Sequence, residues 1–291
     1  MSIDPALRNS AVLVAILATV LFTTIALISS EQRASENLGT AQSEAAAVPT
    51  DAPDYEAVAA RIVNETVSVR EGEHVLIVGS LRDAKLMESL AVHVRKRGAF
   101  PLISLGSETM SRRMYTGVSD KYDTQSPEMA LKMLDHLSVI IDIPYDETPG
   151  LLDDIDPKRI SARAQAYAPV TKKSREHGVR VVEVGNQLYP TKASAERAGL
   201  SQEQLATLFW KGVETDPAVL SQTGEALKRA LITGRELHIT DAHGTDLRMQ
   251  IDAREARISD GRISDEDVAQ RNLSVWLPAG ELYFLPDPTS V

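Results

Sequence analysis

The chain is 291 residues long, with 43% hydrophobic and 25% charged content, enough material for one large or two modest domains with real cores. Its 41 acidic against 31 basic residues give a formal charge of -10, which argues against a nucleic-acid surface built on clustered Lys and Arg. The absence of cysteine excludes disulfides, thiol catalysis and thiolate metal sites, so any metal must be held by oxygen and imidazole.

In chain order, residues 1–10 read as a short cytoplasmic N-terminus. Ala11 to Ile28 follows as AVLVAILATVLFTTIALI, eighteen residues without a charge. As a helix it would be about 27 Å long, close to the roughly 30 Å of a bilayer's hydrocarbon core. It exceeds a signal-peptide core and no Ala-x-Ala pattern follows directly, so residues 11–29 are expected to be an uncleaved signal anchor rather than a removed signal peptide. Arg8 on the short side places the amino terminus in the cytoplasm and the folded part outside it, in the periplasmic or extracellular space. Residues 30–53, rich in Ala, Ser, Glu, Thr and Pro, read as a flexible tether.

The folded part starts with a helix expected over Tyr55 to Val69 and a strand over His74 to Val78. A second helix carries Leu86, Met87, Leu90, Ala91 and Val94 at helical spacing and closes on Gly98. Strands Pro101 to Leu105, Val139 to Ile143 and Val179 to Val184 are rich in Val, Ile and Leu, which predicts a parallel sheet whose strands are buried on both faces by flanking helices. Helices are expected from Pro157 to His177, Gln202 to Val213 and Pro217 to Ile232. Beyond Gly234 the pattern changes. Leu247, Met249 and Ile251 alternate with Arg248, Gln250 and Asp252, the period of a half-exposed strand, and from Glu236 onward the tail holds 11 Asp and Glu against 5 Arg and no Lys, a balance of -6. The expected division is an α/β domain over 54–234 and the beginning of a β-rich second domain over 235–291.

Common catalytic signatures are missing. The turn Val78-Gly79-Ser80-Leu81-Arg82-Asp83 is neither G-x-G-x-x-G nor a P-loop, and no G-x-S-x-G or H-E-x-x-H occurs. The cluster Arg95-Lys96-Arg97 sits at a helix C-terminus, where cations complement the dipole. His74, His93, His136 and His177 stand alone at element ends or on helix faces. His238 and His243 lie close to Asp241 and Asp246, where a metal site is conceivable, but a hairpin entry at Gly244 with Thr245 and Asp246 bonding nearby backbone is the simpler reading. No residue is assigned a catalytic role or a cofactor other than metal.

One turn stands out. Asn272 to Pro286 aims the carboxylate of Glu281 out of a Leu277-Pro278-Ala279-Gly280 turn between two apolar strand-like runs. Read alone, such a glutamate is an exposed turn residue or a metal ligand. With the run Leu237 to Leu247, this stretch resembles the M29 family of metal-dependent aminopeptidases, the thermophilic metalloproteases. The resemblance covers about Tyr55 to Val291, with Ser274, Val275 and Trp276 as three extra residues inside the motif. It implies that Glu281 is a metal ligand, that two divalent ions, zinc or cobalt, activate a water, that the substrate is the N-terminal end of a peptide, and that the protein is a homodimer. It also places the family's remaining ligands after Val291, with Asp287 the sole other acid past Glu281 here, and so implies a truncated chain, inactive as it stands. Two rival readings are a membrane-tethered, non-catalytic binding or interaction domain and a periplasmic small-molecule binder.

Overall fold

The computed structural model describes residues 53–144, 147–232, 234, 236–251 and 256–284. The expected membrane segment at 11–29, the tether at 30–53 but for its last residue, and Asp287 lie outside the described residues. Among the described residues no helix is long and apolar enough to cross a membrane.

The chain divides into two compact units. The larger takes residues 53–224 together with Ser259–Gly280, and the smaller takes the described parts of 225–258 and 281–284. The division differs from a single boundary near Gly234, because the chain re-enters the larger unit after residue 258 and adds a strand to its sheet.

The larger unit opens with α1 (Tyr55–Arg61), whose N-terminal amides are capped by the Asp54 carboxylate. The helix expected to reach Val69 instead passes into a wider π-turn at Ile62–Thr66, where the Val67 N–H reaches back to the Ile62 carbonyl. Then come β1 (His74–Gly79), α2 (Ala84–Lys96), β2 (Phe100–Leu105), α3 (Glu108–Thr116), α4 (Glu128–Met133), β3 (Val139–Asp142), α5 (Pro157–Glu176), β4 (Arg180–Val184), α6 (Lys192–Ala198), α7 (Gln202–Val213) and α8 (Pro217–Ile232). In the smaller unit β5 (Glu236–Thr240) and β6 (Asp246–Gln250) form an antiparallel hairpin. After β7 (Arg257–Ser259) and α9 (Asp265–Ala269), β8 (Ser274–Leu277) pairs parallel with β4, and β9 (Glu281–Tyr283) follows, paired with β7.

The five-stranded sheet runs β2-β1-β3-β4-β8, and every recorded neighbour pair in it is parallel. Its core lies on one face. Val75 and Ile77 of β1, Val139 and Ile141 of β3, Val182 and Val184 of β4, and Val275 and Leu277 of β8 are buried with Ile62, Leu90 and Phe209. Those residues belong to the π-turn, α2 and α7, the elements that cover this face.

The alternate residues face the other way and are only half-buried: Leu76, Val78, Ile140, Asp142, Val181 and Glu183. The expectation that the strands are buried on both faces is therefore corrected. The reason lies in α5, which borders this face through Tyr167, Val170 and Thr171 yet has no buried residue of its own. Its sequence PKRISARAQAYAPVTKKSRE lacks a continuous apolar stripe, so it leaves a cavity of about 900 Å³ between itself and the strands.

What holds α5 is ionic. Asp123, buried beyond a 3-10 turn at Asp120–Tyr122, accepts hydrogen bonds from Arg159 Nε at 2.5 Å and from Arg163 Nε at 2.6 Å, one helical turn apart on α5. The Arg159 hydrogen bond, then that of Arg163 and both positive charges, outweigh desolvation and hold the Asp123 carboxyl at about 2, against an ordinary 3.8. Folding lowers this pKa, so its contribution is fully present above about pH 4 and drains away as the pH falls toward 2. The variant Asp123→Asn should show a lower urea midpoint than the parent at pH 7, with the gap closing between pH 4 and pH 2. An unchanged midpoint at pH 7 would deny the pair any structural role.

Candidate functional site

The turn carrying Glu281 leaves the C-terminal edge of the parallel sheet, the edge where open α/β sheets present ligand-binding residues. Leu277 is buried as the last residue of β8, and its carbonyl accepts from the Gly185 N–H at 2.8 Å. The Leu277–Pro278 peptide is cis. The Pro278 carbonyl accepts from Asn186 Nδ2 at 3.0 Å, and the Gly280 N–H donates to the Ser259 carbonyl at 2.9 Å. Gly280 has φ +120°, which a side chain would disfavour. Glu281 then opens β9 and is half-buried.

Two long-range features support this turn. Asn186 and Gln187, one residue beyond β4, both take left-handed backbone angles, φ 42° and 57°, and the Asn186 amide lies against Pro278. On α7, Gly212 leaves room for the proline ring: a Cβ there would come within 2.8 Å of Pro278 Cβ. Neither signal is local to the turn.

The structure sorts the other candidates. Gly79 is small because a Cβ would meet Met87 Sδ at 2.8 Å, so it serves the contact between β1 and α2 rather than a phosphate. The loop after it is filled by a buried carboxylate. Asp83 accepts from Ser80 Oγ at 2.8 Å, from Arg82 Nε at 2.9 Å and from the Tyr189 hydroxyl at 2.6 Å. Arg82 lies over the Tyr189 ring at 4.4 Å and also pairs with Glu147. An anion would have to displace Asp83, which disfavours phosphate at this strand end. Burial, then the hydrogen bond to Asp83, pushes the Tyr189 hydroxyl far above its ordinary range.

A second polar group missed by sequence reasoning lies on the open face. Asp142 and Glu183 are partners in register on β3 and β4, and Trp276 of β8 is the next partner along. Burial first, then the charge of Asp142, raises the Glu183 carboxyl, while hydrogen bonding by Trp276 opposes the rise. The period-two alternation of β3 and β4 was the signal that could have placed both acids on one face.

His238 and His243 do not form a metal site with the nearby aspartates. His238 Nε2 lies 2.6 Å from Asp246 Oδ1 across the β5–β6 hairpin. Asp241 instead organises the connecting turn, accepting from the His243 N–H at 2.7 Å, the Thr245 N–H at 3.0 Å and the Thr245 hydroxyl at 2.6 Å. Elsewhere, His93 bonds Glu56, His74 stacks on Phe100, and His177 approaches Asp135 at 3.9 Å.

Glu281 is thus one carboxylate on a well-held turn. Among the described residues no three His, Asp or Glu side chains come together in a group able to hold a metal ion. Two ions need several ligands between them, so the described donor set does not make up a dinuclear centre.

Comparison with known proteins adds the following. A family model described as thermophilic metalloprotease (M29) matches residues 52–291. Among solved structures, wild-type AmpT from Thermus thermophilus is similar at 18% identity with a TM-score of 0.54, over 80% of this chain and 61% of that one. A conserved domain protein from Vibrio cholerae O1 biovar El Tor strain N16961 is similar at 13% identity with a TM-score of 0.27, over 77% and 61% of the two chains. No curated protein matches. The chain therefore spans less than two thirds of the length of AmpT.

Proposed function

The chain belongs to the thermophilic metalloprotease family M29, and from that membership we propose that it works as a metal-dependent aminopeptidase, removing N-terminal residues from peptides, with Glu281 as one of its metal ligands. The observation that carries this reading is the Leu277-Pro278-Ala279-Gly280-Glu281 turn at the C-terminal edge of the sheet, pinned by Asn186 and by the Ser259 carbonyl. A ligand on such a turn is preorganised, which is what metal binding asks of a protein. Bound divalent ions, zinc or cobalt, supply Lewis acidity for a scissile carbonyl and a water acidified toward neutrality. The remaining ligands come from outside the described residues.

The test is made on the protein as its own gene encodes it. Release of N-terminal residues from short peptides should vanish on chelation and return with zinc or cobalt. Absence of both peptide release and metal uptake would favour the rival reading, a binding domain without catalysis.

The support of the turn gives a graded prediction. Gly212→Ala on α7 gains about 1 kcal/mol of helix propensity but drives a methyl into Pro278. A ligand turn displaced by a fraction of an ångström should lose about tenfold in kcat/KM with metal affinity reduced alongside. Unaltered kinetics and affinity would show that the α7 contact does not position the turn.

We further propose that Ala11 to Ile28 anchors the protein in a membrane with the folded part outside the cytoplasm, on the strength of that segment's length and lack of charge. Retention in the membrane pellet after alkaline wash, with an intact N-terminal sequence, is the expected result; release of a shortened chain would contradict it.

A further inference from the structure

The open face of the parallel sheet and α5 border the cavity of about 900 Å³, which lies wholly within the larger unit. Ion pairs hold the helix on either side of it. Arg159 and Arg163 bind Asp123 near the start of α5, and near its end Lys173 pairs with Asp135 at 2.5 Å. The wall between these pairs carries Tyr167 and Val170, and Pro169, which has no N–H to give the helix, stands between the two. The helix is thus fixed toward both ends, and the space under its middle is part of the fold.

The floor is ordered in two rows because the strands are parallel and in register. Leu76, Ile140, Val181 and Ser274 are successive partners across β1, β3, β4 and β8, and two residues further on Val78, Asp142, Glu183 and Trp276 make the second row. The rows lie about 7 Å apart along the strands, the second toward the C-terminal edge of the sheet. One row is therefore apolar, while the other carries two half-buried carboxyls on adjacent strands, whose backbones run about 4.8 Å apart. Burial, then the charge of Asp142, disfavours the ionised form of Glu183. Arg175 and Arg197 also border the cavity; both are exposed, and Arg197 Nη2 donates to Ser194 Oγ at 3.4 Å.

We propose that this cavity binds an organic amine with an apolar body, its ammonium shared between Asp142 and Glu183 and its body lying on Leu76, Ile140 and Val181. An ammonium offers three N–H donors, enough to reach carboxyls on two neighbouring strands, and its positive charge offsets the repulsion between them. A divalent metal fits less well, because it asks for more ligands than two, and among the described residues no three His, Asp or Glu side chains come together. The apolar row gives the rest of the ligand a surface on which to leave water, as ligand cavities with a few convergent polar groups do. No residue of the Glu281 turn lines this site.

Titration calorimetry of hexylamine into the full chain, with a chelator present, should show saturable uptake at a single site. Hexanol, which has the same body without the charge, should bind about tenfold or more weakly. Glu183→Gln keeps the shape of the side chain and an oxygen for the Trp276 hydrogen bond, and should weaken hexylamine about tenfold. Val170→Trp fills the space under α5 from its wall and should abolish uptake with the thermal midpoint at or above that of the parent. Glu281→Gln should bind hexylamine as the parent does, which keeps this result separate from the peptidase reading. No saturable uptake, equal affinity for hexylamine and hexanol, parent-like binding by both cavity variants, or loss of binding in Glu281→Gln would each overturn the proposal.

Discussion

Replacing Glu281 with Gln is expected to lower kcat/KM for release of N-terminal residues by about 100-fold or more while leaving the thermal midpoint within a few degrees of the parent. The size follows from the role. Loss of residues that merely orient a metal ligand costs about 10–100-fold, so loss of the ligand itself should cost at least the upper end. Gln keeps the shape of the side chain and one carbonyl oxygen, so the half-buried position at the start of β9 is not left empty. The effect should appear chiefly in kcat once metal is saturating, because the charge lost is one that stabilises the ion rather than one that holds the peptide. A Gln variant that turns over normally at full metal occupancy contradicts the assigned role.

The largest stability effect is expected at Ile77. It is fully buried in β1, a strand paired on both sides by β2 and β3, and it faces the core shared with α2 and α7. Ile77→Ala should cost about 2–5 kcal/mol, since the removed carbons lose their transfer energy and leave a cavity that a sheet cannot easily collapse. For a body of this size that is a fall in Tm of about 5–15 °C. The adjacent Leu76 points to the half-open face, and Leu76→Ala should cost less than half as much, because its side chain has kept part of its contact with water in the folded state. Urea midpoints for the two variants, with unchanged m-values, make the comparison. Equal losses would mean that the sheet is covered as well on the α5 side as on the other.

That contrast also marks where the sequence stops being informative. The parallel strands were legible because His74 to Gly79, Val139 to Asp142 and Arg180 to Val184 are rich in Val and Ile, and two helices were legible to their ends because they carry their own punctuation. Ser201 and Gln204 form a reciprocal cap at the start of α7, and Pro217 occupies the first position of α8. Helices α3, α4 and α9 went unseen because at 9, 6 and 5 residues they are too short to repeat a period, and they bury no residue that would mark one face. The cap at Ser107, whose hydroxyl accepts from the Met110 N–H, was the local sign of α3.

The one-sided core was hidden for a different reason. Valine and isoleucine stand on both faces of the strands, and only the helices decide which face is sealed. A helix secured by Arg159 and Arg163 to Asp123, with Lys173 on the Leu131 carbonyl, reads in sequence as an ordinary polar helix. The Glu281 turn shows the same split between local and distant information. Its Pro, Gly and Glu are visible in the chain, but the Asn186 amide is 92 residues away from the carbonyl it supports, and Gly212 shows its purpose only against Pro278. Ser274, Val275 and Trp276, three extra residues in the family motif, turn out to belong to β8, the strand that carries the turn to the edge of the sheet.

The central claim is that a carboxylate held by this turn binds a divalent cation. Titration calorimetry of zinc into the metal-free protein, as its own gene encodes it, tests that directly when run beside the Glu281→Gln variant. Saturable uptake by the parent, weakened about tenfold or more in the variant, is the expected result. Identical uptake by both proteins, or none by the parent, would contradict it.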